Sequence, residues 1–574
     1  MAATAVIPTN RLIDWTQAGV DGGIPTVSTI YTNLGTNATL AQINTAISLC
    51  PSGMVVQLTN GVYNTGTLQI LFPHTGVVLR GAGFNGTTLN MSTANTGTQD
   101  ACIQVGTAMP LSGTGGHGCG LWAFDGQVNW TNGYTQGTSN LWVDSTSNLA
   151  VGQVVALDQI ADEVVVTTNS LEGEDSGRDV NGVEDYAFGA CGNPHSGRVQ
   201  EEWVQVKAIN GMNITVWPPI VGTNWSASNS PQMFWMTNIV QLCGIENLTV
   251  NGTNASPGAG LAYSANIGFS FTWNCWVKNV QSLWPHWSHV STVWGGRTEV
   301  RHNYFFGTQG NDEESYGFEN NESGWSRCED NIFNRIPAAS QIGEGAGNVF
   351  AFNYVTNFWY DGPSNFDPAL FSHEGYHWFN LYEGNWANSV IFDNTHGNGG
   401  YETVFRNVLT GLSGDSTAGG NPVISIADNL YDNFVGNILG STGSYNFSGP
   451  TVPYQFYICG PSPAPSGYEP QTIFQLGFGG NETNNDGYLL PDDSNTYTTA
   501  FLAGNFDVVS NAVVWWSAPA QTITNSLAYP GKPAWWPSSR PWPPFDSNQS
   551  SSAYPTNLPA GQRYDSGNYF TDLP

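Results

Sequence analysis

The sequence predicts an all-β chain wound as a parallel β-helix, and three observations lead there. An Asn flanked by apolar residues recurs at Asn247, Asn279, Asn303, Asn331, Asn353, Asn385, Asn407 and Asn437, in steps of 32, 24, 28, 22, 32, 22 and 30 residues. A floor of 22 with irregular additions is the mark of a repeat unit whose coils throw out loops. Each unit holds short β-branched or aromatic runs without a helical stripe, so it reads as one coil of stacked strands. Finally, 68 Gly and 32 Pro in 574 residues, with only 10% charged, suit strands and turns rather than helices. A buried Asn once per coil is expected to bond its amide to the Asn above and below.

The elements follow in chain order. Leu40, Ile43 and Ile47 share one face of the clearest helical segment, residues 40 to 50, which is expected to cap the open end of the solenoid. Residues 1–138 then read as this cap and the first coils. Residues 139–222 break the rhythm with antiparallel-looking runs such as Val154-Val155-Ala156-Leu157 and Val204-Gln205-Val206 around a polar loop from Glu172 to Arg198. They read as a small β-rich insertion. Central coils occupy 223–445. The remainder, 446–574, ends in Trp/Pro phrases around Trp535, Trp536 and Trp542 that cannot be helical and are too apolar to be loose, so the tail is expected to pack along the solenoid.

Charge and cysteine content bound the partners and the compartment. A formal charge of −30, from 44 acidic against 14 basic residues, argues against nucleic acid or anionic lipid and also disfavours strongly anionic polymers. No run of eighteen apolar residues offers a membrane span. The chain opens Met-Ala-Ala-Thr-Ala without the stretches of a secretion leader, as a mature form with a replacement start would; secreted or cell-surface location is expected from composition. Eight cysteines fit an oxidising compartment. Cys243 and Cys275 each precede a repeat Asn by four residues, so they should stand on neighbouring coils about 4.8 Å apart, as a disulfide or as stacked thiols. No metal site or cofactor is expected. The hard-oxygen residues at Asn484 to Asp486, Asp492 and Asp493 lack the spacing of a calcium loop, which leaves Ca²⁺ as a weak alternative.

The phrases Trp15-Thr16-Gln17-Ala18-Gly19, Gly197-Arg198-Val199-Gln200, Leu381-Tyr382-Glu383-Gly384-Asn385 and Thr403-Val404-Phe405-Arg406-Asn407, with the Trp/Pro tail, resemble a group of bacterial pectate-lyase-like right-handed β-helix proteins over nearly the whole chain. The resemblance implies a right-handed parallel β-helix and polysaccharide as substrate. It supplies no catalytic residues.

Coil length directs the search for chemistry, because residues beyond the minimum must leave the stack as loops. Two long coils flank a minimal one. The first holds Asp312 and Glu319; the second holds Tyr360, His373, Tyr376, His377, Trp378 and Glu383. If both loops leave one edge, their carboxylates lie roughly 10 Å apart, near the separation for inverting glycoside hydrolysis. A second constellation is Asp393 with His396, an Asp–His pair that would orient the imidazole, followed by Arg406. Catalytic candidates are therefore Asp312, Glu319, Glu383, Asp393 and His396. Substrate-binding candidates are Tyr360, His373, Tyr376, His377, Trp378 and Arg406. Glu383, two residues before a ladder Asn, also reads as a structural carboxylate that bonds backbone amides. A glycoside hydrolase with a carboxylate pair is the leading expectation. A polysaccharide lyase and a non-catalytic glycan-binding or adhesive surface protein stand beside it. The oligomeric state is not legible.

Overall fold

The computed structural model describes residues 6–65, 69–92, 101–107, 125–162, 164–166, 198, 200–255, 265–309, 315–358, 368–412, 421–441, 473–479, 492–508, 510–548 and 555–570. It adds the backbone alone at 98–99, 109–110, 456–458 and 554, and His396 without its side chain. Asp312 and Tyr360 lie outside the described residues, as do most of the Glu172-to-Arg198 loop and residues 484 to 487.

The chain is a right-handed parallel β-helix, and its coils contribute strands to three stacks. In the first stack, Ile245, Val277, Val300, Cys328, Phe350, Tyr382, Val404 and Phe434 pair in register and point inward, all essentially unexposed. The second stack follows after a two-residue corner, with Ser282, Phe305, Phe333 and Val355 in line. The third runs from Ile70–Phe72 through Ile267–Trp273, Val290–Gly296, Tyr316–Gly324, Ala338–Ile342, Leu370–Glu374 and Val390–His396 to Phe474–Phe478. One continuous apolar core fills the space between the stacks. Leu40–Leu49 buries Leu40, Ile43, Ala46 and Ile47 against its first coils, its start fixed by a capping box between Thr39 and Gln42.

The predicted Asn ladder exists, shifted by one residue at its start. Asn303, Asn331, Asn353, Asn385, Asn407 and Asn437 are buried, and each accepts the backbone N–H of the rung before it at 2.8–3.0 Å; Asn505 is a further rung. Asn247 and Asn279 sit one position earlier in the coil, in the left-handed column (φ 57° and 54°) that continues as His302, Asp330, Phe352, Gly384 and Arg406. Asn tolerates that conformation, so the two roles look alike in sequence. The corner between the third and first stacks repeats the device. Ser326, Asn348 and Asn380 accept N–H groups from Thr298, Ser326 and Asn348, and Asp432 accepts from Glu402.

The insertion is a closed antiparallel barrel of six strands, Gly126–Asn132, Asn140–Val143, Val154–Gln159, Gln200–Asn210, Asn213–Trp217 and Gln232–Trp235. Its first and last strands come from outside residues 139–222, because closure needs the runs on either side of the turn-rich middle. The solenoid passes across the insertion without a gap: Ile103 pairs with Ile267, and Val78 with Gly244. Barrel residues Ala156, Trp203 and Phe234 pack on Phe271, Trp273 and Trp294 of the coils.

Both chain ends cover the outer face of the first stack. Trp15 donates to the Phe379 carbonyl at 2.5 Å, and Arg327 donates to the Trp15 and Ala18 carbonyls. The tail lays Trp535, Trp536 and Trp542 around Phe352. On the third stack the barrel covers Phe271, Trp273 and Trp294, while Glu319, Phe371 and His373 are partly exposed. The described cysteines, Cys50, Cys102, Cys243, Cys275 and Cys328, are buried and unbridged.

Candidate active site on the third stack

Side chains alternate across a strand, so the register decides which acids meet. Glu319 pairs with Ser291 on one side and Gln341 on the other, and Gln341 pairs with Phe371; all point outward. Glu319 and Phe371 are therefore two strands apart, roughly 10 Å. Glu319 accepts a short hydrogen bond from the Ser288 hydroxyl. His373, two residues beyond Phe371 and stacked on its ring at 4.6 Å, bonds Asp393 of the next coil through Nδ1 at 2.7 Å. Asp393 also accepts from the Thr395 amide and hydroxyl. The Asp–His pair expected at Asp393 thus forms with His373, a neighbour by stacking rather than by sequence. His396 has its backbone opposite Glu374, and its side chain lies outside the described residues.

The central group is Glu374, which the sequence reading passed over between two candidate histidines. Its side chain is buried, and burial pushes its pKa up to about 8; the His373 ring opposes that shift, while Glu319 and Asp393 add to it. Among the described residues its hydrogen bond is a long one from Gln341 at 3.5 Å, and Oε2 has no partner. Gly343 makes the room, since a Cβ there would stand 2.1 Å from that oxygen. At neutral pH this carboxyl holds its proton, and the partly exposed Glu319 is a second acid within its electrostatic reach. A carboxyl that keeps its proton near a second acid is an arrangement that general acid–base chemistry can use.

The other sequence candidates are placed elsewhere. Glu383 belongs to the first stack and accepts the Leu527 and Ala528 amides at 2.9 Å each, which is its structural reading. Arg406, a substrate-binding candidate, donates to the carbonyls of Ile523, Thr524 and Phe545 and lies 3.9 Å from Asp546, so the acid it meets is in the tail. Tyr376 and Trp378, expected to stack on sugars, are buried; the Tyr376 hydroxyl donates to Glu202 of the barrel at 3.0 Å, and the two rings stack at 4.6 Å. They fasten the barrel to the coils. His377 lies inside the coil, 3.4 Å from Glu402, and burial lowers its pKa to about 4. Among the described residues no cluster of His, Cys, Asp or Glu has the form of a metal site.

No family model and no curated protein matches the chain. Solved structures similar to it include the tailspike of Pseudomonas phage phi297, at 13% identity and TM-score 0.47, covering 71% of this chain and 58% of that one. The alginate lyase from Paenibacillus aligns at 9% identity and TM-score 0.35 over 71% of this chain and 94% of its own. The polygalacturonase from Erwinia carotovora aligns at 11% and 0.29 over 72% and 89%. At these values the likenesses say nothing about what this chain acts on.

Proposed function

We propose that the third stack is the active face of an extracellular glycoside hydrolase that cleaves a polysaccharide by inversion. Glu374 is the general acid: its retained proton passes to the leaving glycosidic oxygen. Glu319, two coils away, is the base that takes a proton from the attacking water, and the separation leaves room for that water. His373, held by Asp393, presents its imidazole to the substrate, with Phe371 beneath it as an apolar contact. The observation behind this reading is the buried, proton-retaining Glu374 within electrostatic reach of Glu319. Between residues 336 and 531 the sequence contains a single Lys or Arg, Arg406, which the tail covers. That favours a neutral substrate over a densely anionic one.

The test is release of reducing ends from a polysaccharide panel by the native protein and by Glu374→Gln and Glu319→Gln. Loss in both supports the assignment; full activity in either removes that residue from it. The His373–Asp393 pair also favours a second reading, a lyase with His373 as base. Growth of unsaturated-uronate absorbance without new water-derived ends would select it, and retention of glycan with no product would select an adhesive.

A further inference from the structure

We propose that Cys243 and Cys275 are a convertible thiol pair whose disulfide staples the coil on which the barrel sits. The residues after them, Gly244 and Trp276, pair in the first stack, and the Trp276 amide donates to the Cys243 carbonyl at 2.9 Å, so the cysteines stand directly over one another. Both side chains point into the core and are fully buried. The Cys243 thiol donates to the His74 carbonyl at 3.3 Å, and the Cys275 thiol makes a long bond to the Trp273 carbonyl at 3.7 Å. Adjacent parallel strands hold equivalent Cα atoms about 4.8 Å apart, inside the roughly 4.4–6.8 Å that a disulfide spans, so closure needs rotation of the thiols more than movement of the backbone.

The pair has a definite place in the fold. Cys243 opens the first coil after the chain returns from the barrel, and Cys275 follows Phe271 and Trp273, on which the barrel packs. A bond between them closes the 32-residue step from one coil to the next around the barrel's seat. No other two described cysteines are paired in register in this way, and Cys328 stands in the same first-stack column opposite Val300 and Phe350.

In the exchange Cys243 serves as the attacking sulfur. Its thiolate attacks one sulfur of a small-molecule disulfide such as oxidised glutathione and expels one glutathione thiolate. Cys275 then attacks the mixed disulfide at Cys243, its proton passing to the second departing thiolate. Two protein thiols are oxidised by two electrons, and one small disulfide is reduced to two thiols. Because both sulfurs are buried, exchange proceeds when the coil opens or before the barrel seats.

The experiment incubates the full chain with oxidised glutathione, then denatures it without reductant, alkylates free thiols and maps the peptides. The expected result is a Cys243–Cys275 cross-link, a chain two hydrogens lighter, and a thermal midpoint raised by several degrees that reductant reverses. Cys328→Ser should keep the shift and Cys275→Ser should lose it. Recovery of both cysteines as alkylated peptides, after oxidation during refolding as well as of the native chain, overturns the proposal. The peptide map on the native sequence decides this even where the variants fold poorly.

Discussion

The strapped first stack and the open third stack draw on the same residue types and use them for opposite ends. On the first, every charged group named here has a protein partner. Arg301 lies 3.2 Å from Glu299 and 3.0 Å from Glu329, Arg327 lies 3.3 Å from Glu329, and Tyr529 of the tail donates to both Glu329 oxygens. Glu383 and Arg406 hold the tail by its backbone. On the third, among the described residues, Glu374 keeps an oxygen with no hydrogen bond and Glu319 is partly exposed. Buried charge is tolerated only when paired, so the strapped face is the structural one. Unspent hydrogen-bonding capacity beside a raised pKa is the ground on which chemistry is proposed for the other.

The largest effect expected concerns that division of labour. Glu374→Gln should lower turnover by about 10²–10⁴-fold while leaving circular dichroism unchanged, and Glu383→Gln should leave turnover within a few-fold. If instead Glu383→Gln is the inactive variant and Glu374→Gln is active, the two faces have been assigned the wrong way round.

Removing the strap's anchor comes next. Arg406→Ala strips three carbonyls of their donor and should cost about 3 kcal/mol, seen as a lower thermal midpoint and early proteolysis of the tail. A tail that remains resistant would mean that its tryptophans alone hold it.

The pH dependence sharpens the contrast further. Glu374 has an ordinary value of 4.5 when unfolded and about 8 when folded. Below 4.5 both states are protonated and the group contributes nothing; from there to about 8 the unfolded chain ionises first, so stability falls as pH rises, and above 8 the loss is complete. Glu374→Gln should therefore be the more stable protein by a few kcal/mol at pH 8 and equal to the native chain near pH 4, in paired melts. A difference independent of pH would place the proton elsewhere. On the proposed assignment the same ionisation should cut any hydrolytic activity of the native chain as pH passes about 8.

A smaller effect is expected at the corner. Asn353→Ala removes the side-chain oxygen that accepts the Asn331 amide and the side-chain N–H that donates to the Cys328 carbonyl, and should cost about 1–3 kcal/mol, against a few tenths for Asn279→Ala at its half-exposed neighbouring position. Equal losses would deny the ladder any special weight. Smallest is a salt effect: binding of a uronate polymer to the open face should strengthen modestly from low to physiological salt as repulsion is screened, and binding of a neutral polymer should not change.

Much of the solenoid was legible because a coil must repeat its corner. Asn353 and Asn385 announce themselves by apolar neighbours, and the stripe of Leu40, Ile43 and Ile47 identifies the cap. The second ladder was hidden because Ser326, Asn348, Asn380, Glu402 and Asp432 share a position but not a residue type. The barrel's outer strands were missed because pairing of 126–132 with 232–235 is a long-range event with no local signal. Within the site, Glu319, His373 and Asp393 were found as residues, but not their partnership, since His373 reaches Asp393 across the stack. Glu374 and Glu383 look alike in sequence, nine residues apart on one coil. Only the phase of the bends turns one to the open face and the other under the strap.

The backbone N–H groups of the Asn ladder all donate one way, each to the side-chain carbonyl of the coil that comes later in the chain, from Val280 to the last rung at Asn505. Each Asn side chain also donates back to a carbonyl of the coil before it. During synthesis the newest coil thus always presents an unfilled row of donors, and that row is the template on which the next coil is copied. Growth of this kind has no internal reason to stop, and a free end would recruit the end of another molecule as readily as its own continuation. The antiparallel hairpin of Phe501–Asp507 with Ala512–Trp515 ends the copying by turning the chain back on itself at the final rung. Deleting it should turn a finite rod into a seed for end-to-end fibres.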